Sequence, residues 1–366
     1  MDGPQSPQPD TSVATPAPPS GHPMVTSAKA ADGSIEKYKA RLVTQGFTQV
    51  LDMDYSTTSS PVVKASTVLV ILSLAVLNKW HLHQSDVKNA FLNGNLMDTV
   101  YIEQPPGFVD TSRADTSLFV FKKDAFVLYL LVYVADIILT GNNATLLRYF
   151  ISRLHKEFHI TDLGKLGYFF GLEVSYHDSG IFLSQSKYAH DILARAQLLD
   201  IKPSATSLST SAYFTSQGKP YSDPTQYHSL VGALQYLTIT RLDLSYAVNH
   251  VSQFLHAPTQ EHFQGVKRIL RYVKGMLSYG LSFLHSPTPT ILGYSDANWA
   301  RCIETRRSTY GYSVFLGGNL VSWSAKKQPT VSRSSCESEY HALANTATEI
   351  IWLTHLLKEL HVLPSV

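Results

Sequence analysis

The stretch Leu130–Gly141, LLVYVADIILTG, limits most strongly what this chain can fold into. Its two flanks are rich in Val, Ile, Leu and Tyr, which favour β-strands, and the abrupt Ala135-Asp136 step separates them. A two-residue break inside such a run predicts a tight hairpin. The hairpin would hold the Asp136 carboxylate at an exposed tip on a rigid support, as a fixed metal ligand requires. From these residues alone, a buried hairpin with one polar turn residue is the alternative.

Composition narrows the protein class without naming a function. The chain has 366 residues, 44% hydrophobic and 16% charged, which is enough for two or three domains with substantial cores. A net charge of +2 does not by itself indicate a nucleic-acid partner. Cys302 and Cys336 form neither a disulfide framework nor a zinc spacing, so we expect an intracellular protein, cytoplasmic or nuclear. We predict no signal peptide and no membrane span, because the apolar run Val68–Leu77 is too short to cross a bilayer.

The chain divides by composition and periodicity. Residues 1–30 hold seven prolines among Ser, Thr, Gln and Ala, which predicts a disordered linker. Apolar periodicity predicts a buried helix over 68–77, an amphipathic helix over 146–158 and further helices over 227–275. Two strands are expected about the turn at 177–180, and the polar stretch 202–223 is expected to be a connector.

A second carboxylate follows another predicted strand. Trp80, Leu82 and Gln84 alternate with His81, His83 and Ser85, and Asp86 falls at the end of this two-residue period. The alternation places His81 and His83 on one strand face, where they could form a metal pair. No third ligand with metal spacing accompanies them, so we interpret them as surface residues.

Together these segments resemble the reverse transcriptase of copia-type long-terminal-repeat retrotransposons. Residues 133–136, Tyr-Val-Ala-Asp, are similar to the family's Tyr-x-Asp-Asp hairpin, and residues 84–94, QSDVKNAFLNG, to its Gln-x-Asp-Val motif. The resemblance implies that Asp86 and Asp136 converge in a polymerase palm as catalytic ligands of Mg²⁺. It also implies an RNA template, an RNA–DNA hybrid and deoxynucleoside triphosphates as partners.

The opening of the ordered part, DGSIEKYKARLVTQGFTQV, resembles the fingers of the same family. The resemblance implies that Arg41, with Lys39 second, faces the incoming triphosphate, a task suited to forked and point-charge donors. An edge strand with a solvated basic face is the alternative. The basic residues Lys267, Arg268, Arg271 and Lys274 share one face of a predicted helix, where phosphate tracking and simple solvation are equally open.

Two departures from the family pattern bear on activity. Ala135 stands where the first aspartate of the hairpin is expected, and a methyl group cannot bind magnesium, which takes oxygen ligands. After Phe108 the chain passes directly through VDTSRAD into the next strand, without the family's Leu-Tyr-Gly-Leu-Lys-Gln-Ala-Pro-Arg-Ala-Trp motif. A similar jump is expected near Ala30-Ala31. These gaps predict a palm with missing packing partners.

The C-terminal segment resembles the ribonuclease H domain of the same elements. Its strand LGYSDANWA ends in Asp296, two strands follow about Gly317-Gly318-Asn319, and a helix begins near residue 333. The resemblance implies that Asp296 and Glu339 bind metal, with Glu337 forming a capping box with Ser334 instead. We predict that Tyr340, Leu343, Ala344, Ala347, Ile351 and Leu357 form the buried stripe of this helix. A further essential aspartate would lie beyond Val366, so this domain is expected to be truncated.

We therefore predict an α+β protein: a polymerase palm and fingers remnant with a helical connection, followed by a truncated ribonuclease H-like α/β domain. The expected ranges are a linker over 1–30, fingers and palm over 31–200, thumb and connection over 201–286, and the ribonuclease H-like unit over 287–366. The predicted function is a polymerase and ribonuclease H remnant without turnover. A non-catalytic nucleic-acid-binding protein, an active polymerase and a gene model that joins fragments of a larger element are the alternatives.

Overall fold

The computed structural model describes residues 24–29, 35–41, 63–87, 114–158, 160–209, 214–286 and 288–362. One compact unit contains a two-stranded hairpin, and a second contains the described residues from 63 onward. In the hairpin, β1 (Met24–Lys29) pairs antiparallel with β2 (Ile35–Arg41). The sequence predicts a linker over 1–30; within it residues 24–29 form the strand β1, and residues 1–23 and 30 lie outside the described part.

A five-stranded antiparallel sheet carries the two predicted polymerase carboxylates. Its spatial order is β4-β5-β6-β3-β7. The strands are β3 (His81–Val87), β4 (Leu118–Lys123), β5 (Phe126–Tyr133), β6 (Asp136–Gly141) and β7 (Ile160–Lys165). The predicted strand before Asp86 and the predicted hairpin are both confirmed.

Two helices pack against opposite faces of this sheet. Helix α1 (Ala65–Leu77) is buried on nearly all sides and shares a core with Leu131 and Ile138, as its uniformly apolar sequence predicts. Helix α2 (Ala144–Glu157) shares the other core with Ile137 and Leu139. The Asn143 side chain accepts hydrogen bonds from the first free backbone N–H groups of α2, which fixes where that helix begins.

The face on the α2 side is incompletely covered. Phe121 lies opposite Leu128, a member of the α2 core, so both side chains point to the same face. Yet Phe119, Phe121 and Phe126 are 42%, 44% and 43% exposed. Three large aromatic side chains thus remain partly in solvent on the sheet face that α2 covers elsewhere.

A second sheet and a helical layer follow. The sheet has the order β11-β10-β9-β8. Its strands are β8 (Tyr168–Phe169), β9 (Leu172–His177), β10 (Gly180–Ser184) and β11 (Gly280–Leu284). The helices are α3 (Ser186–Arg195), α4 (Pro224–Leu237), α5 (Leu242–Ser252) and α6 (Gln260–Gly275). Their common core runs from Ala189 to Val273, so the helical layer includes α3, which precedes the expected connector.

The C-terminal segment forms three antiparallel strands and a long helix, as predicted. They are β12 (Ile291–Asn298), β13 (Thr309–Leu316), β14 (Asn319–Lys327) and α7 (Ser335–Glu359). This segment shares one core with α1 and the first sheet, since the Tyr129 hydroxyl donates to Leu360 O at 2.7 Å and the Ser73 hydroxyl to Leu316 O at 3.4 Å. The whole is α+β, in agreement with the predicted class.

The predicted stripe of α7 is wrong except for its last member. Tyr340, Leu343 and Ile351 are 68%, 54% and 57% exposed. The residues that α7 buries are Ser338, Ala342, Thr346, Leu353, Leu356 and Leu357. Small side chains bring the helix close to β12, where a Cβ on Gly293 would lie 2.6 Å from Ile350 Cδ1.

Candidate active site

The β5–β6 hairpin has the two-residue turn Val134-Ala135. Tyr133 pairs with Asp136 across it, so Asp136 is the first residue of β6 and half-buried, one residue past the predicted tip. Val134 has φ +56° and is 56% exposed. A β-branched residue with positive φ is a conformational outlier of the kind that concentrates at functional turns.

The structure brings Asp86 and Asp136 together. They are register partners on the adjacent antiparallel strands β3 and β6, so their side chains lie on the same face of the sheet. The Val87 N–H donates to Ala135 O at 2.8 Å and continues this pairing into the turn. Two strands far apart in sequence thus hold the carboxylates next to each other on a rigid sheet.

The pKa of the Asp136 carboxyl is raised above its ordinary value. Burial raises the pKa of Asp136, a hydrogen bond from Gln84 lowers it, and the negative charge of Asp86 raises it again; the net shift is upward. A carboxylate partly removed from water beside a like charge favours its neutral form. Binding a cation between the two would relieve both effects.

Gln84 is a site residue that the sequence interpretation missed. Its Nε2 donates to Tyr168 O at 2.6 Å and to Asp136 Oδ1 at 3.5 Å. Its Oε1 accepts from the N–H groups of Gly167 and Tyr168, both at 3.5 Å. Gln84 therefore ties the carboxylate to the start of β8. The sequence did contain an indication of this role. Trp80, Leu82 and Gln84 recur with the two-residue period of a strand, and Gln84 is the only polar residue of the three.

The ligand set at this pair is small. Ala135, the neighbour of Asp136 in the turn, has no side-chain oxygen. Across the described ranges, no group of three or more His, Cys, Asp or Glu side chains could hold a metal ion. Two adjacent carboxylates can contribute ligands to one hydrated Mg²⁺, which keeps several waters.

The structure places Asp296 on β12 and Glu339 on α7. Along β12, Gly293 faces α7, so the alternate residues Tyr294 and Asp296 lie on the sheet face turned away from that helix. Asp296 is exposed there and lines a cavity of about 370 Å³ that also includes Tyr246 of α5. Glu339 is exposed in the second turn of α7.

The cap of α7 follows the prediction in part. The Glu337 N–H donates to the Ser334 hydroxyl at 3.1 Å, which is the expected N-cap bond. The Glu337 carboxylate accepts from the Arg333 N–H at 2.7 Å, one residue before the N-cap, so the reciprocal bond of a capping box is replaced. Glu337 is thus engaged at the helix start.

The basic residues of α6 have intramolecular partners. Arg268 donates to the Thr206 hydroxyl at 2.8 Å, Arg271 to Lys202 O at 2.8 Å, and Lys274 to Leu199 O. These three side chains hold the segment 199–206 against the helix. The sequence left phosphate tracking and a solvated basic face equally open for Lys267, Arg268, Arg271 and Lys274, and the structure shows the last three half-buried and bonded to the chain itself.

Arg41 and Lys39 lie on β2, opposite Met24 and Thr26 respectively. They belong to the hairpin unit, separate from the unit with the carboxylate pair. None of the helices in the described ranges is long and apolar enough to cross a membrane.

Comparison with known proteins identifies relatives over most of the chain. The family model "Reverse transcriptase (RNA-dependent DNA polymerase)" matches in two stretches, residues 15–125 and 109–210. The chain is 42% identical to the retrovirus-related Pol polyprotein from transposon RE2 of Arabidopsis thaliana, over 90% of this chain and 25% of that protein. It is 33% identical to the corresponding polyprotein from transposon TNT 1-94 of Nicotiana tabacum, over 91% of this chain and 29% of that protein.

A shorter relative is similar to part of the chain. The uncharacterized mitochondrial protein AtMg00810 of Arabidopsis thaliana is 51% identical over 62% of this chain and 94% of its own length. The chain spans only about a quarter of the length of the two polyproteins.

Proposed function

Because this chain belongs to the reverse transcriptase family and is a fragment of a copia-type retrotransposon Pol polyprotein, we propose that it is a polymerase remnant without turnover. In this proposal it descends from an RNA-directed DNA polymerase and keeps the palm frame. Arg41 and Lys39 are the proposed remainder of the triphosphate-binding fingers. The substrates and partners of that ancestor were an RNA template, an RNA–DNA hybrid and deoxynucleoside triphosphates.

One observation carries the proposal: Asp86 and Asp136 are register partners beside a turn that contains Ala135. Bound Mg²⁺ would polarise the phosphoryl group and activate the attacking oxygen. Asp86 and Asp136 would each hold it through a carboxylate oxygen, and Gln84 would orient Asp136. Loss of one carboxylate from the hairpin removes both a ligand and a negative charge, and ligand number decides such chemistry.

A gap inside the palm supports the same conclusion. The alignment with the RE2 polyprotein runs over 368 residues but takes in 90% of this chain, about 329 residues, so roughly 39 positions of the relative have no counterpart here. The two stretches matched by the family model meet at residues 109–125, where the sequence predicts the missing template-positioning segment. The solvent-exposed Phe119, Phe121 and Phe126 lie beside that join, as expected if the element that covered them is missing.

For the C-terminal segment we propose a ribonuclease H-like origin without nuclease activity. The order of three strands and a helix supports the origin. Asp296 on the face away from α7 supports the loss of activity, because Glu339 on that helix is then poorly placed to share its metal. The proposed divisions remain 31–200 for the polymerase part, 201–286 for the connection and 287–366 for this segment.

Primer extension tests the proposal. Purified protein is incubated with a primed homopolymer RNA template, deoxynucleoside triphosphates and Mg²⁺ or Mn²⁺, beside Ala135→Asp and Asp86→Asn variants. We expect no extension by the natural sequence and none by Ala135→Asp, because the template-positioning segment is missing as well. Extension that Asp86→Asn abolishes would establish an active polymerase and refute the proposal.

The non-catalytic alternative has its own measurement. A protein that binds nucleic acid through basic surfaces should bind an RNA–DNA hybrid with an affinity that falls steeply with salt. The contacts of Arg268, Arg271 and Lys274 with segment 199–206 argue against α6 as that surface. Tight, salt-dependent hybrid binding without extension would favour this alternative.

A further inference from the structure

A cavity of about 370 Å³ lies at the other end of the first sheet. It is bounded by the end of α1, the start of β3, the β9–β10 turn and the residue that follows β11. His81 lines it, and Asp86 is five residues further along the same strand. At about 3.3 Å per residue, the cavity and the carboxylate pair are roughly 17 Å apart. It is therefore a different site.

Side chains that carry or can accept positive charge dominate the cavity. Its lining includes the two lysines and three histidines Lys79, Lys165, His81, His177 and His285, against the single carboxylate of Asp178. No salt bridge within the described ranges involves either lysine. Lys165 Nζ lies 3.5 Å from the centre of the Tyr176 ring. Both lysines thus line the cavity, and neither has a carboxylate within salt-bridge distance in the described part of the chain.

The histidines do not form a metal site. In the described part of the chain, no group of three or more potential ligands could hold a metal ion. The structure also separates the pair that the sequence brings to attention: His83 Nε2 contacts Asp162 Oδ1 at 2.5 Å, whereas His81 lines the cavity. Imidazoles that share a cavity with ammonium groups but no metal are available as hydrogen-bond donors to an anion.

Tyr176 adds a neutral donor. It lines the cavity, and its hydroxyl is buried without a hydrogen-bond partner among the described residues. A buried hydroxyl left unpaired destabilises a protein, and a ligand that reached it through a small shift of the side chain would satisfy it. The rings of Tyr176 and Trp80 offer apolar surface next to the charges, and the volume falls within the usual range of small-molecule sites.

We propose that this cavity binds the phosphate group of a nucleotide or of a nucleic-acid strand through Lys79, Lys165, His81, His177, His285 and Tyr176. Lysine ammonium groups bind phosphate as point charges, and imidazole and phenol donors complete the oxygen contacts. The backbone around the cavity is cross-linked. The His285 N–H donates to Ser179 O at 3.1 Å, so the residue after β11 is bonded to the β9–β10 turn.

Equilibrium binding to the full chain in EDTA tests this inference. Without a divalent ion no polymerase chemistry can contribute, so the result is independent of the proposed function. The probes are inorganic pyrophosphate, deoxyadenosine monophosphate and a short oligothymidylate. The test variant is Lys79→Gln with Lys165→Gln, and the matched control is Lys122→Gln with Lys123→Gln, an equal charge change on the exposed edge strand β4.

We expect at least one probe to bind, and the test variant to weaken that binding by about tenfold or more while the control does not. Tyr176→Phe should weaken it several-fold without lowering the unfolding midpoint, which keeps the inference testable if the double variant folds poorly. Equal binding of both mononucleotide and oligonucleotide identifies a nucleotide site. Preferential oligonucleotide binding, with a salt slope reduced by about 0.7 per lysine lost, identifies the strand backbone. Failure of every probe to bind, or equal losses in test and control variants, would overturn the inference.

Discussion

Helix α7 offers a matched pair of leucines that tests whether the C-terminal segment shares a core with α1 and the five-stranded sheet. Leu356 is fully buried in the cluster that also contains α1 and Leu131 of β5, whereas Leu343 is 54% exposed on the same helix. Leu356→Ala should lower the free energy of unfolding by about 3 kcal/mol, the middle of the range for truncating a buried leucine. Leu343→Ala should change it by less than about 0.5 kcal/mol, because it leaves no cavity.

Urea unfolding, followed by tryptophan fluorescence and far-ultraviolet circular dichroism, measures both variants. With a slope of about 3 kcal/mol per molar urea, Leu356→Ala should lower the midpoint by about 1 M, in a single transition that both probes share. Equal shifts for the two variants would contradict the assigned burial. A separate early transition in Leu356→Ala, with the remainder unfolding at the normal midpoint, would contradict the shared core.

Three further substitutions test the electrostatics. Burial and the charge of Asp86 raise the pKa of Asp136 and outweigh the hydrogen bond from Gln84, which lowers it, so ionised Asp136 destabilises the folded state. Asp136→Asn should therefore raise the urea midpoint at pH 7. This gain should vanish below the ordinary carboxyl pKa, where Asp136 is neutral in both the folded and the unfolded state. Gln84→Leu should raise the pKa of Asp136 further, measurable by NMR titration of its carboxyl carbon. Burial raises the pKa of Asp243, but two hydrogen bonds from the buried Arg241 guanidinium outweigh it and hold the pKa below its usual range. Asp243→Asn should lower the free energy of unfolding at pH 7 by about 2–3 kcal/mol, measured in urea. This loss should shrink as the pH falls through the pKa of Asp243 in the folded state.

Local sequence patterns predicted the strands that carry Asp86 and Asp136. The alternation before Asp86 and the paired apolar runs about residue 135 each fixed a strand, because a two-residue period is visible in a single sequence. Their pairing across 50 residues came from the resemblance, and the register of Asp86 with Asp136 agrees with it. The turn was misplaced by one residue because apolar strand residues continue through Val134.

Other features, such as the buried side of α7, depend on tertiary contacts, which the spacing of apolar residues along the sequence does not reveal. The buried side of α7 contains Ser338 and Thr346, which resemble solvent positions until Gly293 allows the helix to approach β12. The stripe of larger apolar residues on the opposite side misled the prediction. The partners of Arg268 lie 62 residues away in sequence, so periodicity could show a basic face but not its contacts.

The left-handed backbone conformation of Val134 bears on how the sequence of this turn evolves. A branched side chain in that region costs roughly 1–2 kcal/mol relative to glycine, and under the proposed loss of turnover no catalytic role offsets this cost. Genetic drift is then free to replace the valine by glycine or asparagine, and the replacement would make the hairpin sturdier. Under the same proposal, Val134 beside Ala135 is a residue retained from the active ancestor.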